Sequence, residues 1–153
     1  MRSVLFVCLG NICRSPAAEG VMLDVVDNAG LSDAVQVDSA GTGGWHVGNM
    51  ADSRMRAAAN RRGYDLQSRA RQVTADDIEQ FDLVIAMDQS NLENLKRLAV
   101  GRADNIHMLG EYLDADNPPD VPDPYYGGES GFDQVLDMIE RACPEILKTL
   151  MES

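Results

Sequence analysis

The chain has 153 residues, 44% of them hydrophobic, enough for one folded domain with a proper core and too many for a chain dominated by disorder. Its 25 acidic against 13 basic residues leave a net charge of −12, which repels a nucleic-acid backbone. Three cysteines are too few, and odd in number, for a disulfide scaffold, and no apolar run approaches the roughly 18 residues of a membrane span.

In chain order, Val4 to Cys8 form an unbroken apolar run, the pattern of a strand buried on both faces and too short for a signal-peptide core. A polar loop, Cys8 to Pro16, follows; Ser15 suits the N-cap of a helix and Pro16 its first position. Ala18, Val21, Met22, Val25, Val26 and Ala29 then recur at three- and four-residue steps, and Gly30 can end that helix. A short strand is predicted at Val35 to Val37. A second helix is predicted from Asp52 to Arg62, stopped by Gly63. Six arginines stand between Arg54 and Arg71, either a solvated helix face or a docking surface for an acidic partner.

Leu83 to Met87 reads as a strong strand, Asp88 to Ala99 as a helix with Gly101 beyond it, and Asn105 to Leu109 as a weaker strand. From Asp114 to Gly128 four prolines (Pro118, Pro119, Pro122, Pro124) and no periodicity predict a long loop, of the kind that carries function. The last helix sets Phe132, Val135, Leu136, Ile139 and Cys143 on one face, then Ile146, Leu147 and Leu150. Pro144 inside it is predicted to kink or divide the helix. Strands alternating with helices predict an α/β fold of one domain over residues 1–153, with a parallel sheet covered on both faces. Right-handed crossovers then gather the carboxyl ends of the strands on one edge, where ligands bind.

The sharpest feature is Cys8-Leu9-Gly10-Asn11-Ile12-Cys13-Arg14-Ser15-Pro16, at the junction of the first strand and first helix. A helix start offers unpaired N–H groups and a positive dipole end, and a loop curling over it can aim further N–H groups at an oxyanion. Gly10 and Asn11 tolerate the left-handed dihedrals such a curl needs. The loop amides, the helix dipole and Arg14 all favour a thiolate at Cys8, placed for in-line attack on a bound phosphoryl group. Arg14 offers a planar fork to two equatorial oxygens, and Ser15 can donate to the sulfur. No Gly-Lys-Ser/Thr and no Gly-x-Gly-x-x-Gly is present, so neither nucleotide loop applies. Zinc held by Cys8, Cys13 and His46 lacks an evident fourth ligand.

A leaving alkoxide or phenolate also needs a proton. Asp123, clamped between Pro122 and Pro124 and flanked by Tyr125 and Tyr126, is the best donor; Asp120 is its nearest rival. The same carboxylate can then take a proton from the attacking water.

At this point the chain resembles the low-molecular-weight protein tyrosine phosphatase family. The matching stretches are Val7 to Pro16, Asp38-Ser39-Ala40-Gly41-Thr42, Ala70-Arg71-Gln72, Met87-Asp88-Gln89-Ser90-Asn91 and Asp123-Pro124-Tyr125-Tyr126-Gly127. The resemblance implies a three-layer sandwich: a twisted four-stranded parallel sheet, order 2-1-3-4, with helices on both faces. It implies hydrolysis of phosphotyrosine and aryl phosphate monoesters through a phosphocysteine, with no cofactor or metal. It gives Cys8 as nucleophile, Arg14 as phosphate clamp and Asp123 as general acid. Leu9, Gly10, Asn11, Ile12, Cys13 and Ser15 complete the phosphate-binding loop; Ser39, partner to Asn11, and Asp88 support it. Cys13 resembles the second loop cysteine, which can form a reversible disulfide with Cys8; simple packing is the other reading. Trp45 matches the family's variable substrate-loop aromatic and would face Tyr125 across the substrate ring, with Tyr126 at the rim. Phosphotyrosine proteins or peptides are the implied substrates, and inorganic phosphate and similar oxyanions the competing ligands. A cytoplasmic monomer is expected, weak self-association being left open.

The sequence departs from the family at Ser68, where many relatives carry a histidine near the position of Glu19. Arsenate reductases share the cradle, but they relay oxidation to cysteines after the third strand, where this chain has Met87-Asp88-Gln89. A silent phosphotyrosine-binding module is the third reading, though binding alone needs no nucleophile. Cys143, on the apolar side of the last helix, reads as core.

Overall fold

Seven consecutive residues form β1 (Arg2–Cys8), and the run Val4 to Cys8 is buried because layers lie on both sides of it. The computed structural model describes residues 1–126, 128 and 130–152, and of Tyr126 only the backbone. The other elements are α1 (Arg14–Asn28), β2 (Val35–Gly41), α2 (Ser53–Arg61), α3 (Ala75–Gln80), β3 (Leu83–Ala86), α4 (Gln89–Leu98), β4 (Ile106–Met108) and α5 (Ser130–Glu152). Short 3-10 turns occupy Leu109–Tyr112 and Pro124–Tyr126.

All strand pairings are parallel, as the α/β reading predicts, and the order is β2-β1-β3-β4, as the family resemblance implies. Alternation along β1 sorts its side chains between two cores. Val4, Phe6 and Cys8 join the cluster built with α1, α2 and α5; Leu5 and Val7 join the one beneath α3 and α4. The chain reverses direction across the sheet between β1 and β3, and a crevice at the carboxyl ends of those strands is where such a sheet takes its ligand.

One strand end and one whole helix differ from the sequence expectation. β2 runs on to Gly41, beyond the apolar stretch ending at Val37, because all seven of its residues pair in register with β1. Asp38 and Ser39 are tolerated there because Arg71 reaches Asp38, and Asn11 and Glu19 engage Ser39. Helix α3 is not visible as a periodicity, since Ile78 is its one buried residue. It starts on a reciprocal cap between Thr74 and Asp77.

Helix α5 is not divided at Pro144. Proline costs a helix about 3 kcal/mol. Here Cys143 and Ile146 on either side of it, and Leu147 and Leu150 beyond, are buried in the core that includes α1. At about 1.5–3 kcal/mol for each buried large side chain, that burial exceeds the cost. Among the described residues no helix is long and apolar enough to cross a membrane.

Three arginines of the arginine-rich stretch are tied to other elements, while Arg61 and Arg69 are exposed. Arg62 meets Asp133, Asp137 and Glu140 of α5, and Arg71 meets Asp38 and Asp77. Arg54 pairs with Asp52 and lies over the rings of Tyr125 and Phe132.

Candidate active site

Cys8 ends β1 and Arg14 begins α1, so the five residues between them must turn back within one loop. The turn is made at Asn11, whose φ of +57° makes it the one non-glycine residue with positive φ among those described. Gly10 does not adopt the left-handed conformation expected of it. Its lack of a side chain leaves room for the His46 ring, 3.0 Å from where a Cβ would stand.

The loop's carbonyl groups are turned outward and held by its surroundings. Thr42 N–H donates to Cys8 O and Gly43 N–H to Leu9 O (both 2.9 Å), Asp52 N–H to Ile12 O (2.7 Å), and Ala17 N–H to Cys13 O (3.2 Å). Among the described residues none accepts from the N–H groups of Leu9 to Cys13. A loop that spends its carbonyls on the framework leaves its amide hydrogens for an anion. Gly41 is part of this device: a Cβ there would lie 2.9 Å from Leu9 O and 3.1 Å from Asn11 N, so the end of β2 comes this close only without a side chain.

Behind the loop runs a buried polar chain. Asn11 donates from Nδ2 to Ser15 Oγ (2.8 Å) and Ser39 Oγ (3.0 Å), and its Oδ1 accepts from Arg71 N–H (3.0 Å). That backbone donor fixes which way the amide faces. Ser39 gives its own proton to Glu19 Oε1 (2.5 Å). Burial pushes the Glu19 carboxyl up, and the hydroxyls of Ser39 and of Ser68 offset part of that. Ser15 therefore has one proton and two acceptors, Cys8 Sγ at 3.0 Å and Ala40 O at 3.3 Å. Contrary to the sequence expectation, Ser15 is not the N-cap: α1 starts two residues earlier, at Arg14 after Cys13, with no side-chain cap. Its hydroxyl faces the sulfur and Asn11 instead.

Arg14 is buried and anchored on one side. Nη1 donates to Asp88 Oδ2 (2.6 Å) and Val121 O (3.0 Å), and Nη2 stands 3.7 Å from Asp123 Oδ2. Burial by itself would lower the Arg14 pKa; the Cys8 sulfur, Asp88 and Asp123 outweigh it and hold the charge. Asp88 serves twice, because its Oδ1 also accepts from Asn91 N–H (2.8 Å) as the cap of α4. Asp123 Oδ1 accepts from Tyr125 N–H (3.0 Å), leaving Oδ2 toward Arg14 beyond hydrogen-bond reach. The rival Asp120 is committed to Gln89 N–H.

A cavity of about 330 Å³ opens over these groups. Cys8 and Arg14 line it with the loop residues Leu9, Gly10, Ile12 and Cys13; Trp45, His46, Asp123 and Tyr125 are its other walls. Asn11, Ser15, Ser39 and Asp88 do not line it and stand behind it as supports. Burial pushes the Cys13 thiol up, with Asp52, Cys8 and Asp123 adding to it, so Cys13 stays protonated beside the sulfur of Cys8. Trp45 is 72% exposed and lies against Gly43, where a Cβ would meet its ring at 1.8 Å. The side chain of Tyr126, expected at the rim, is outside the described residues. Sequence reasoning missed His46 as a wall, 6.4 Å from the Tyr125 ring, and Arg54 as the prop beneath Tyr125. The glycines around Trp45 mark a loop but do not say that the neighbouring histidine turns inward. Among the described residues no three His, Cys, Asp or Glu side chains are grouped as a metal ion would need.

Residues 3–153 match the family model described as low molecular weight phosphotyrosine protein phosphatase. The chain is 46% identical over 153 residues to the low molecular weight protein-tyrosine-phosphatase of Streptomyces coelicolor, covering 97% of this chain and 93% of that one. It is 41% identical over 151 residues to the low molecular weight phosphotyrosine protein phosphatase of Homo sapiens, covering 96% and 94%. In structure it is similar to a protein tyrosine phosphatase from Entamoeba histolytica solved with Hepes in the active site. The TM-score is 0.94 at 43% identity, covering 99% of this chain and 98% of that one.

Proposed function

The chain belongs to the low molecular weight phosphotyrosine protein phosphatase family, and from that premise we propose how its own residues divide the work of hydrolysing phosphotyrosine through a phosphocysteine. Cys8 attacks phosphorus in line, forming the S–P bond as the bond to the phenolic oxygen breaks. The amides of Leu9 to Cys13 and the free edge of Arg14 hold the three equatorial oxygens, where charge spreads in the transition state. Asp123 Oδ2 gives its proton to the departing oxygen, then takes one from the water that cleaves the S–P bond. Ser15 donates to the sulfur as it leaves. The observation that supports this reading best is the orientation of the loop: four carbonyls held from outside, and its amide hydrogens left free beside the sulfur and Arg14.

Trp45, His46 and Tyr125 give the cavity aromatic walls, which suit a phosphorylated ring better than a phosphorylated serine. Phosphotyrosine-bearing proteins or peptides are thus the substrates, with inorganic phosphate and similar oxyanions competing at the cradle. The three cysteines are free thiols, which suits the reducing conditions of the cytoplasm. Every named group comes from one chain and one domain, so a monomer suffices for the chemistry.

The test is a pair of variants. Cys8→Ser should cut phosphate release by at least about a thousandfold, because a hydroxyl lacks the nucleophilicity of a thiolate, while phosphate still binds. Asp123→Ala should slow release of poor leaving groups by about a hundredfold and of activated ones far less, since only the former need the proton. Equal losses on both substrates would remove Asp123 from the acid role.

A further inference from the structure

A second depression, of about 420 Å³, lies beside the phosphoryl cavity, and Leu9 and Trp45 line both. On its other side α4 contributes Asn94, Arg97 and Leu98. Leu9, Trp45 and Leu98 are 39%, 72% and 36% exposed. Large apolar side chains gathered around one surface depression mark a place where another molecule binds.

The cation lining this depression is Arg97. It hydrogen-bonds the neutral Asn94, and among the described residues it has no ion pair, although Glu93 stands one turn earlier on the same helix. Arg14, Arg54, Arg61, Arg62, Arg71 and Arg102 meet carboxylates, while Arg56 and Arg69 hydrogen-bond backbone carbonyls; neither of these two lines either depression. In a chain of net charge −12, an uncompensated guanidinium beside the catalytic cavity is a local exception to the prevailing sign.

A phosphotyrosine seated in the cradle leaves its own backbone at the cavity mouth, next to Trp45. An extended peptide covers about 10 Å in three residues, so positions within three of the phosphotyrosine reach the neighbouring depression. We propose that this groove binds the substrate chain beside the phosphotyrosine, an apolar residue lying against Leu9, Trp45 and Leu98 and an acidic one meeting Arg97. Arg97 is then a specificity-determining residue that selects phosphotyrosines in acidic segments. The assignment rests on the phosphatase reading of the cradle.

The experiment measures kcat and KM on three phosphotyrosine peptides differing only in an acidic, neutral or basic residue within three positions, alongside a small aryl phosphate confined to the cradle. Wild type should show KM about five- to tenfold lower for the acidic than for the basic peptide at similar kcat, a difference that shrinks with added salt. Arg97→Ala should reduce that preference to about twofold or less, and Arg97→Glu should reverse it. Arg97 is exposed, so an unchanged aryl phosphate rate in both variants shows an intact cradle. A wild type indifferent to peptide charge, or an Arg97→Glu variant that keeps the acidic preference, would overturn the assignment. A wild type inactive on the aryl phosphate would overturn the phosphatase reading itself, and the groove with it.

Discussion

The floor of the cavity and its mouth are built on opposite principles. On the floor, Asn11, Ser15 and Ser39 are buried, and each makes two or more hydrogen bonds of defined direction. At the mouth, Trp45 is mostly exposed and Tyr125 partly so, held by Gly43 on one side and Arg54 on the other. A transition state needs donors that do not reorganise, so its site is over-determined. A substrate ring needs a wall that can be changed without unsettling the chemistry.

Replacing Asn11 should break that contrast most visibly. Asn11→Ala puts an alanine at φ +57° and leaves the Arg71 N–H and the Ser15 and Ser39 hydroxyls short of a partner. We expect a loss of about 3 kcal/mol in chemical denaturation and a fall in kcat of about a hundredfold. Asn11→Gly keeps the backbone shape but not the amide, so it divides the two effects. If Asn11→Ala were as stable and active as wild type, the floor would not be over-determined.

Trp45→Ala should do the reverse. With the indole this exposed, stability should stay within about 0.5 kcal/mol, while KM for phosphotyrosine peptides rises about three- to tenfold at similar kcat. A large loss of stability there would erase the distinction between mouth and floor.

The smallest effect concerns the outermost brace of the floor. Asp77 holds Arg71 (2.9 Å), whose backbone N–H in turn holds Asn11. Burial would raise the Asp77 carboxyl, but Arg71 and the Thr74 N–H outweigh it and keep it below the usual carboxylate range. A depressed carboxylate contributes stability that is present above that range and is lost as pH falls through its folded-state value. Asp77→Asn should therefore cost on the order of 0.5 kcal/mol near neutrality, after solvent screening, and progressively less as the pH falls below the ordinary carboxylate range, about pH 4. Denaturation curves near neutrality and in acid check this; a cost that grew in acid would be the wrong sign.

Much of this was legible beforehand, and the reason lies in what each feature depends on. Cys8 and Arg14 are separated by one turn-back of the chain between a buried strand and a helix, a local constraint that spacing records. The same holds for Asp123 between its prolines. His46 and Arg54 left no such mark, because their places are set by Tyr125, which arrives from far along the chain. Helix α3 was hidden because a six-residue helix with one buried side chain has no period to read.

Taken alone, the sequence determined the alternation of strands and helices, the strand-to-helix cradle and the residues able to act in it, since these follow from neighbours along the backbone. Only the tertiary structure decided that Ser15 serves the sulfur rather than a helix cap, that Asp120 is spent on the Gln89 N–H rather than on the cavity, that α5 runs unbroken through Pro144, and that Arg97 lines a depression beside the cavity, with no ion pair among the described residues. Those outcomes depend on which distant side chains compete for the same space, protons and charges, and that competition is settled only when the chain closes on itself.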